Sequence, residues 1–238
     1  MYAFSTSWYS RWQVASALAG GFSLGLLLIV PSAQPAVQHA LTGTARVIDG
    51  DTLDIAGTRV RLEGIDAPEI AQRCGRRFLG TWACGKGAAR ALRDLTSGRE
   101  VACERRGTDK YGRMLGVCFA DGRDVNAEMV RQGFAWAFVR YSDSYVAVEA
   151  KARAAKAGIW QGKAQPAWDY RDNRWANAEQ TAPNGCAIKG NISSNGHIYH
   201  MPWSPWYGKV RVETDKGERW FCSEADAVAA GWRPVSVH

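Results

Sequence analysis

Charge is nearly missing from the start of this chain. Arg11 is the only charged side chain before Arg46. Within that stretch Val14 to Val30 is apolar or small throughout, and Pro31-Ser32-Ala33-Gln34-Pro35-Ala36 follows. A basic start, an apolar run and a small-residue exit make the pattern of a secretory signal. The run also stands at the short edge of a membrane span, which takes roughly 17–25 residues. Its length and flanks argue against a buried core helix. Residues 1–40 are therefore expected to be a signal peptide or a signal anchor, with residues 14–30 as a membrane tether in the second case. A clean A-x-A site is absent, so no cleavage point is assigned. Either way the rest of the chain is expected to be secreted or periplasmic, or held at the inner membrane facing away from the cytoplasm. A second absence concerns metals: no Cys/His cluster accompanies the acidic stretch described below, and this removes the usual zinc patterns from it.

What the chain does have is a basic body. At 238 residues, with 46% hydrophobic and 22% charged side chains, it fits one or two globular domains with a real core. The formal net charge is +7. Residues 41–163 carry 21 Lys and Arg against 15 Asp and Glu, whereas residues 164–238 carry 8 of each. The surplus thus belongs to one segment and favours a polyanionic partner, nucleic acid first.

That segment contains Val47-Ile48-Asp49-Gly50-Asp51-Thr52-Leu53 and Arg61-Leu62-Glu63-Gly64-Ile65-Asp66-Ala67-Pro68-Glu69. Asp49 and Asp51 are two residues apart, so in extended chain they point the same way. Gly50 lets the backbone turn or bulge between them. Arg59, Arg61 and Glu63 share one strand face, which must be wet or hold a charged site. Pro68 biases Ala67 to an extended conformation, giving the Ala67 carbonyl a fixed direction. Oxygen donors of this kind suit a hard cation such as calcium or magnesium. Spacing alone leaves an acidic turn beside an Arg–Glu surface pair equally open.

Five motifs in register narrow the choice. Ile48-Asp49-Gly50-Asp51-Thr52, Arg61-Leu62, Asp66-Ala67-Pro68-Glu69, Thr108-Asp109-Lys110-Tyr111-Gly112-Arg113 and Val125-Asn126-Ala127-Glu128-Met129-Val130-Arg131-Gln132-Gly133 occur in that order. Together, from about Thr42 to Trp160, they resemble the staphylococcal nuclease (thermonuclease) family. The resemblance implies a calcium-dependent endonuclease that hydrolyses DNA and RNA phosphodiesters at the 5′-oxygen, leaving 3′-phosphate ends, with single-stranded or frayed substrate preferred. It implies Ca²⁺ held by Asp51, Asp66 and the Ala67 carbonyl, with Asp49 reaching the ion through water. The family usually has threonine at Ala67, which is harmless if only the backbone oxygen ligates. Glu69 would orient or deprotonate the attacking water. Arg61 and Arg113 would clamp the phosphoryl oxygens. Lys110 and Tyr111 would contact a second phosphate, and Tyr141 would contribute to an aromatic wall for the base. A non-catalytic nucleic-acid-binding barrel or an envelope-tethered binding protein is the alternative. The presence of all five residues Asp51, Asp66, Arg61, Glu69 and Arg113 favours the enzyme. No obligate protein partner is expected.

The fold expected is α+β: a five-stranded OB-type β-barrel with three helices over residues 42–162, plus a small Cys/Trp-rich C-terminal module. Strands are expected within 44–55, 59–65, 101–103 and 115–119, and helices over 88–95, 124–133 and 145–157. Residues 163–184 read as a linker or as chain wrapping back onto the barrel. Residues 185–235 resemble the small "sunset" module of some exported bacterial proteins.

Six cysteines suit an oxidising compartment. Cys103 and Cys118 flank 106–113 symmetrically, Cys74 and Cys84 bracket one loop, and Cys186 and Cys222 are the two in the tail. Those three pairs are the expected disulfides. A Cys186/His197/His200/Cys222 metal site is the competing reading for the module. Trp203, Trp206, Trp220 and Trp232 read as its core, or as a stacking surface.

Overall fold

The computed structural model describes residues 41–235; the leader expected over 1–40 lies outside them. The first strands form a meander: β1 (Leu41–Val47), β2 (Thr52–Ile55) and β3 (Thr58–Leu62). Along β1, residues alternate between half-buried and exposed, as a strand with one wet face requires. The short β4 (Ile65–Asp66) follows, then a small hairpin of β5 (Cys74–Gly75) and β6 (Thr81–Trp82). Helix α1 spans Cys84–Thr96, a turn longer at its start than composition suggests. After it come β7 (Glu100–Thr108), β8 (Met114–Ala120), β9 (Arg123–Asp124), α2 (Val125–Arg131), β10 (Trp136–Ala137) and α3 (Val146–Ala154).

The sheet order β3-β2-β1-β7-β8 closes on itself through a parallel β3–β8 pairing. This is a closed five-stranded mixed barrel of OB type. Closure removes the open edges and wraps one core, with Leu53, Ile55, Val60, Leu62, Leu92, Val101 and Met129 inside. The β7–β8 pair places Cys103 opposite Cys118, and their disulfide forms there.

Residues 163–184 do not form an extended tether. They contain helix α4 (Ala167–Glu179), whose first turn packs onto the barrel. Ala167 shares a small core with Trp136, Ile159 and the Cys74–Cys84 disulfide, and the Trp168 ring stacks on Phe138 at 5.4 Å. The far end of α4 belongs to the C-terminal module: Trp175 packs against that module's core and Arg174 donates to the Pro202 carbonyl at 2.9 Å.

The module is a four-stranded sheet of β11 (Ile188–Ser193), β12 (Gly196–His200), β13 (Arg219–Phe221) and β14 (Arg233–Pro234), in the order β13-β11-β12-β14, with α5 (Glu224–Ala229). Ile188, Tyr199, Phe221, Ala227 and Trp232 make its core. Of the four tryptophans, Trp232 is buried and the others are half-exposed. The Cys186–Cys222 disulfide staples the module, as so small a core requires. The competing metal reading falls with it: both cysteines are oxidised, His200 pairs with Asn191 and His197 stacks on Trp232. No described helix is long and apolar enough to cross a membrane.

Candidate functional site

The acidic residues sit where the meander meets β4. Between β1 and β2 the chain bends through Asp49-Gly50-Asp51, and the Asp49 carboxylate accepts from the Asp51 N–H at 3.0 Å. Gly50 is needed here for proximity rather than for a special backbone conformation. A Cβ on it would come within 2.7 Å of the Ala67 Cβ and 2.8 Å of the Ala88 Cβ. The corner is thereby pressed against the Ala67 turn, and the Ala67 N–H donates to Asp51 Oδ2 at 2.8 Å. Ala67 is buried.

Arg61 on β3 lies between the two carboxylates expected to bind metal. Its Nη1 is 2.7 Å from Asp51 Oδ2 and its Nη2 is 2.8 Å from Asp66 Oδ1. The first contact is an ion pair off the hydrogen-bonding direction, so buried Nη1 has no acceptor.

Glu69 is held from two sides. Its N–H donates to the side chain of Gln72 at 3.1 Å, and Gln72 in turn donates to the Gln165 carbonyl at 2.6 Å. Gly85 of α1 lies directly on this turn; a Cβ there would stand 1.7 Å from the Glu69 carbonyl oxygen. The Glu69 side chain is bound by Arg171 of α4, whose Nη1 is 2.9 Å from Oε1. The same guanidinium takes Asp66, with Nη2 at 2.8 Å from Oδ2 and Nη1 at 3.1 Å from Oδ1.

Arg113 is set by its own loop. Asp109 accepts from the Tyr111 and Arg113 N–H groups at 2.9 Å each, and its other oxygen holds Arg113 Nε at 2.7 Å. Lys110 and Arg113 both lie over the Tyr111 ring. Tyr141 is exposed on the turn after β10, the strand that pairs with β4, and its ring meets Phe138 edge-on at 5.1 Å. Glu128 and Arg131 pair with each other on α2 and play a local part.

Electrostatics shows the strain of this crowd. Burial first, and the Asp51 charge second, push the Asp49 carboxyl up to about 6. Burial pushes Glu69 up to about 8; Arg171 opposes this, while Asp49 and Asp51 add to it. Both shifts mark carboxyls held away from water beside other acids. Arg113 is committed to Asp109, so Asp49, Asp51, Asp66 and Glu69 face two guanidiniums, those of Arg61 and Arg171. The acids outnumber these guanidiniums, and all four offer hard oxygens. The donor set therefore fits calcium. Among the described residues no three acidic, His or Cys side chains are gathered into a metal-holding group; the two guanidiniums stand between the acids.

The sequence reading brought together Asp49, Asp51, Arg61, Asp66, Ala67 and Glu69, and the structure places them in contact or in mutual electrostatic reach. Arg113 is coupled to Asp49 and Asp51 through its charge. Arg171 was missed. Its sequence signal is slight: it lies three residues after Trp168 and four before Trp175, so it shares a helix face with two anchoring aromatics.

A cavity of about 390 Å³ continues from Arg171, lined among others by Lys110, Tyr111, Trp175, Trp203 and Glu224.

Residues 59–162 match the family model described as "Staphylococcal nuclease homologue", and residues 170–234 match the one described as ArfC. A micrococcal nuclease of Shigella flexneri is 33% identical over 71% of this chain and 99% of its own length. The succinoglycan biosynthesis protein ExoI of Rhizobium meliloti is 39% identical over 69% of this chain and 87% of its own. An uncharacterized endonuclease of Escherichia coli O157:H7 is 36% identical over 54% and 83% respectively.

Proposed function

The chain belongs to the staphylococcal nuclease family and is a phosphodiester-hydrolysing nuclease; from that premise we propose that it is an exported, Ca²⁺-dependent endonuclease acting on single-stranded or frayed DNA and RNA. The observation that carries the metal reading is the crowding of four carboxyls, Asp49, Asp51, Asp66 and Glu69, around Arg61 and Arg171. Asp51, Asp66 and the Ala67 carbonyl are the proposed ligands, with Asp49 reaching through water. Bound there, calcium supplies charge neutralisation at the phosphoryl oxygens.

The remaining steps belong to the chain's own side chains. Arg61 and Arg113 clamp the phosphoryl group, a task suited to planar guanidinium forks. Glu69, whose burial raises its affinity for a proton, takes the proton from water as the water oxygen attacks phosphorus. The bond to the 5′-oxygen breaks, that oxygen takes a proton from solvent, and the products are a 3′-phosphate and a 5′-hydroxyl. Lys110 and Tyr111 hold the neighbouring phosphate. Tyr141, exposed beside Phe138, offers a face to a base. Export is supported by the three disulfides, which need an oxidising compartment; residues 14–30 serve as leader or tether.

The test is cleavage of single-stranded DNA by the oxidised protein with Ca²⁺ and with a chelator, followed by analysis of the product ends. Calcium-dependent cutting with 3′-phosphate ends is expected. Equal cutting in chelator would remove the metal, and 5′-phosphate ends would reverse the assigned leaving group.

A further inference from the structure

We propose that Arg171 belongs to the active site and competes with the divalent ion for Asp66, so that helix α4 sets the metal affinity of the nuclease. This rests on the calcium reading above. Arg171 lies beyond residue 162, where the match to the family model ends.

Asp66 is fully buried, and its two oxygens have no room for a further cation while Arg171 is in place. Oδ2 is taken by Arg171 Nη2 at 2.8 Å; Oδ1 is shared by Arg61 Nη2 at 2.8 Å and Arg171 Nη1 at 3.1 Å. Calcium binds oxygen at about 2.3–2.6 Å. An ion on Oδ2 would therefore sit against the guanidinium that now holds that oxygen, cation against cation in a water-poor site. The two are exclusive occupants of Asp66. The apparent affinity for calcium is then the intrinsic one reduced by the fraction of molecules in which Arg171 has withdrawn.

Helix α4 is not built to swing away as a lid. Its start is fixed by Ala167 and Trp168 on the barrel and by the Gln72–Gln165 bond, its far end by Trp175 and Arg174 on the module. What can move is the Arg171 side chain. The cavity of about 390 Å³ beside it gives the guanidinium space, and Asp172 and Glu224 in its lining give it carboxylates to face. The exchange is a rotation of one side chain. Glu69 loses its Arg171 partner in the same motion, so metal entry and release of Glu69 are coupled.

Calorimetric titration of the full oxidised chain with calcium chloride tests this, since it reads binding without turnover. Arg171→Ala should bind calcium about 10-fold or more tightly than the parent, because the competing occupant of Asp66 is gone. Arg171→Gln, which keeps length and polarity, guards against loss of fold and should tighten binding in the same direction. Arg171→Lys should lie between it and the parent, and Arg174→Ala should match the parent. Equal or weaker binding by both neutral variants would overturn the competition while leaving the calcium reading intact. No calcium uptake by parent or variants would overturn both.

Discussion

The barrel and the C-terminal module treat buried polarity in opposite ways. In the module, buried Glu218 accepts from two backbone N–H groups, those of Ile192 and Glu213, and Lys189 donates to the carbonyls of Tyr207 and Val210. Charge there is spent on pinning loops to a small apolar core. In the barrel, the acids are set against one another and against two arginines, with two carboxyls pushed up. Acids crowded and buried in this way add little to stability. They have value where an ion and a phosphate complete the arrangement. The contrast separates a part that holds shape from a part that does chemistry, and Arg171 is the point where the first reaches into the second.

The contrast can be broken most sharply at Glu69. Glu69→Ala should cut turnover by about 10²- to 10⁴-fold with circular dichroism unchanged; parent-like turnover would strip Glu69 of its role. The module offers the converse. Cys186→Ser with Cys222→Ser should lower module stability by about 2–4 kcal/mol while cleavage by the barrel persists. Calorimetry beside a cleavage assay checks this, and loss of both together would merge the two regions into one functional unit. Gly50→Ala forces a Cβ against Ala67 and Ala88. A cost of about 1–3 kcal/mol is expected, together with reduced activity, because the corner carries Asp49 and Asp51; thermal melts and kinetics report each.

The smallest effect is a pH dependence confined to the module. Burial, with Lys189 adding to it, pushes the His200 imidazole down to about 4. The folded module keeps it neutral while the unfolded chain protonates near 6.5. Stability from this residue is therefore complete above about pH 6.5 and is lost as pH falls from there toward 4. Melting temperatures of parent and His200→Gln across that window should converge at acid pH.

Much of the barrel was legible because its signals are local. The Asp-Gly-Asp corner, the Ala-Pro-Glu turn and the loop from Asp109 to Arg113 each bring their functional groups together within a few residues. The three disulfides were legible from position along the chain. The start of α1 was hidden because Gly85 and Gly87 are poor helix formers. They are there for contact: a Cβ on either would strike the Glu69 backbone or the Trp82 ring. Arg171 was hidden for a different reason. Its partners Asp66 and Glu69 lie 105 and 102 residues earlier in the chain, and nothing local in a polar stretch announces a contact at that range. Helix α4 itself shows little amphipathic signal, because it is gripped by aromatics at two points rather than along one apolar stripe.

The central claim is that four carboxylates facing two guanidiniums make a place for one divalent ion. Equilibrium dialysis of the oxidised protein against radioactive calcium measures it directly. The account predicts one ion per chain, lost in Asp66→Asn. Binding of no ion, or of one that Asp66→Asn retains unchanged, would contradict it.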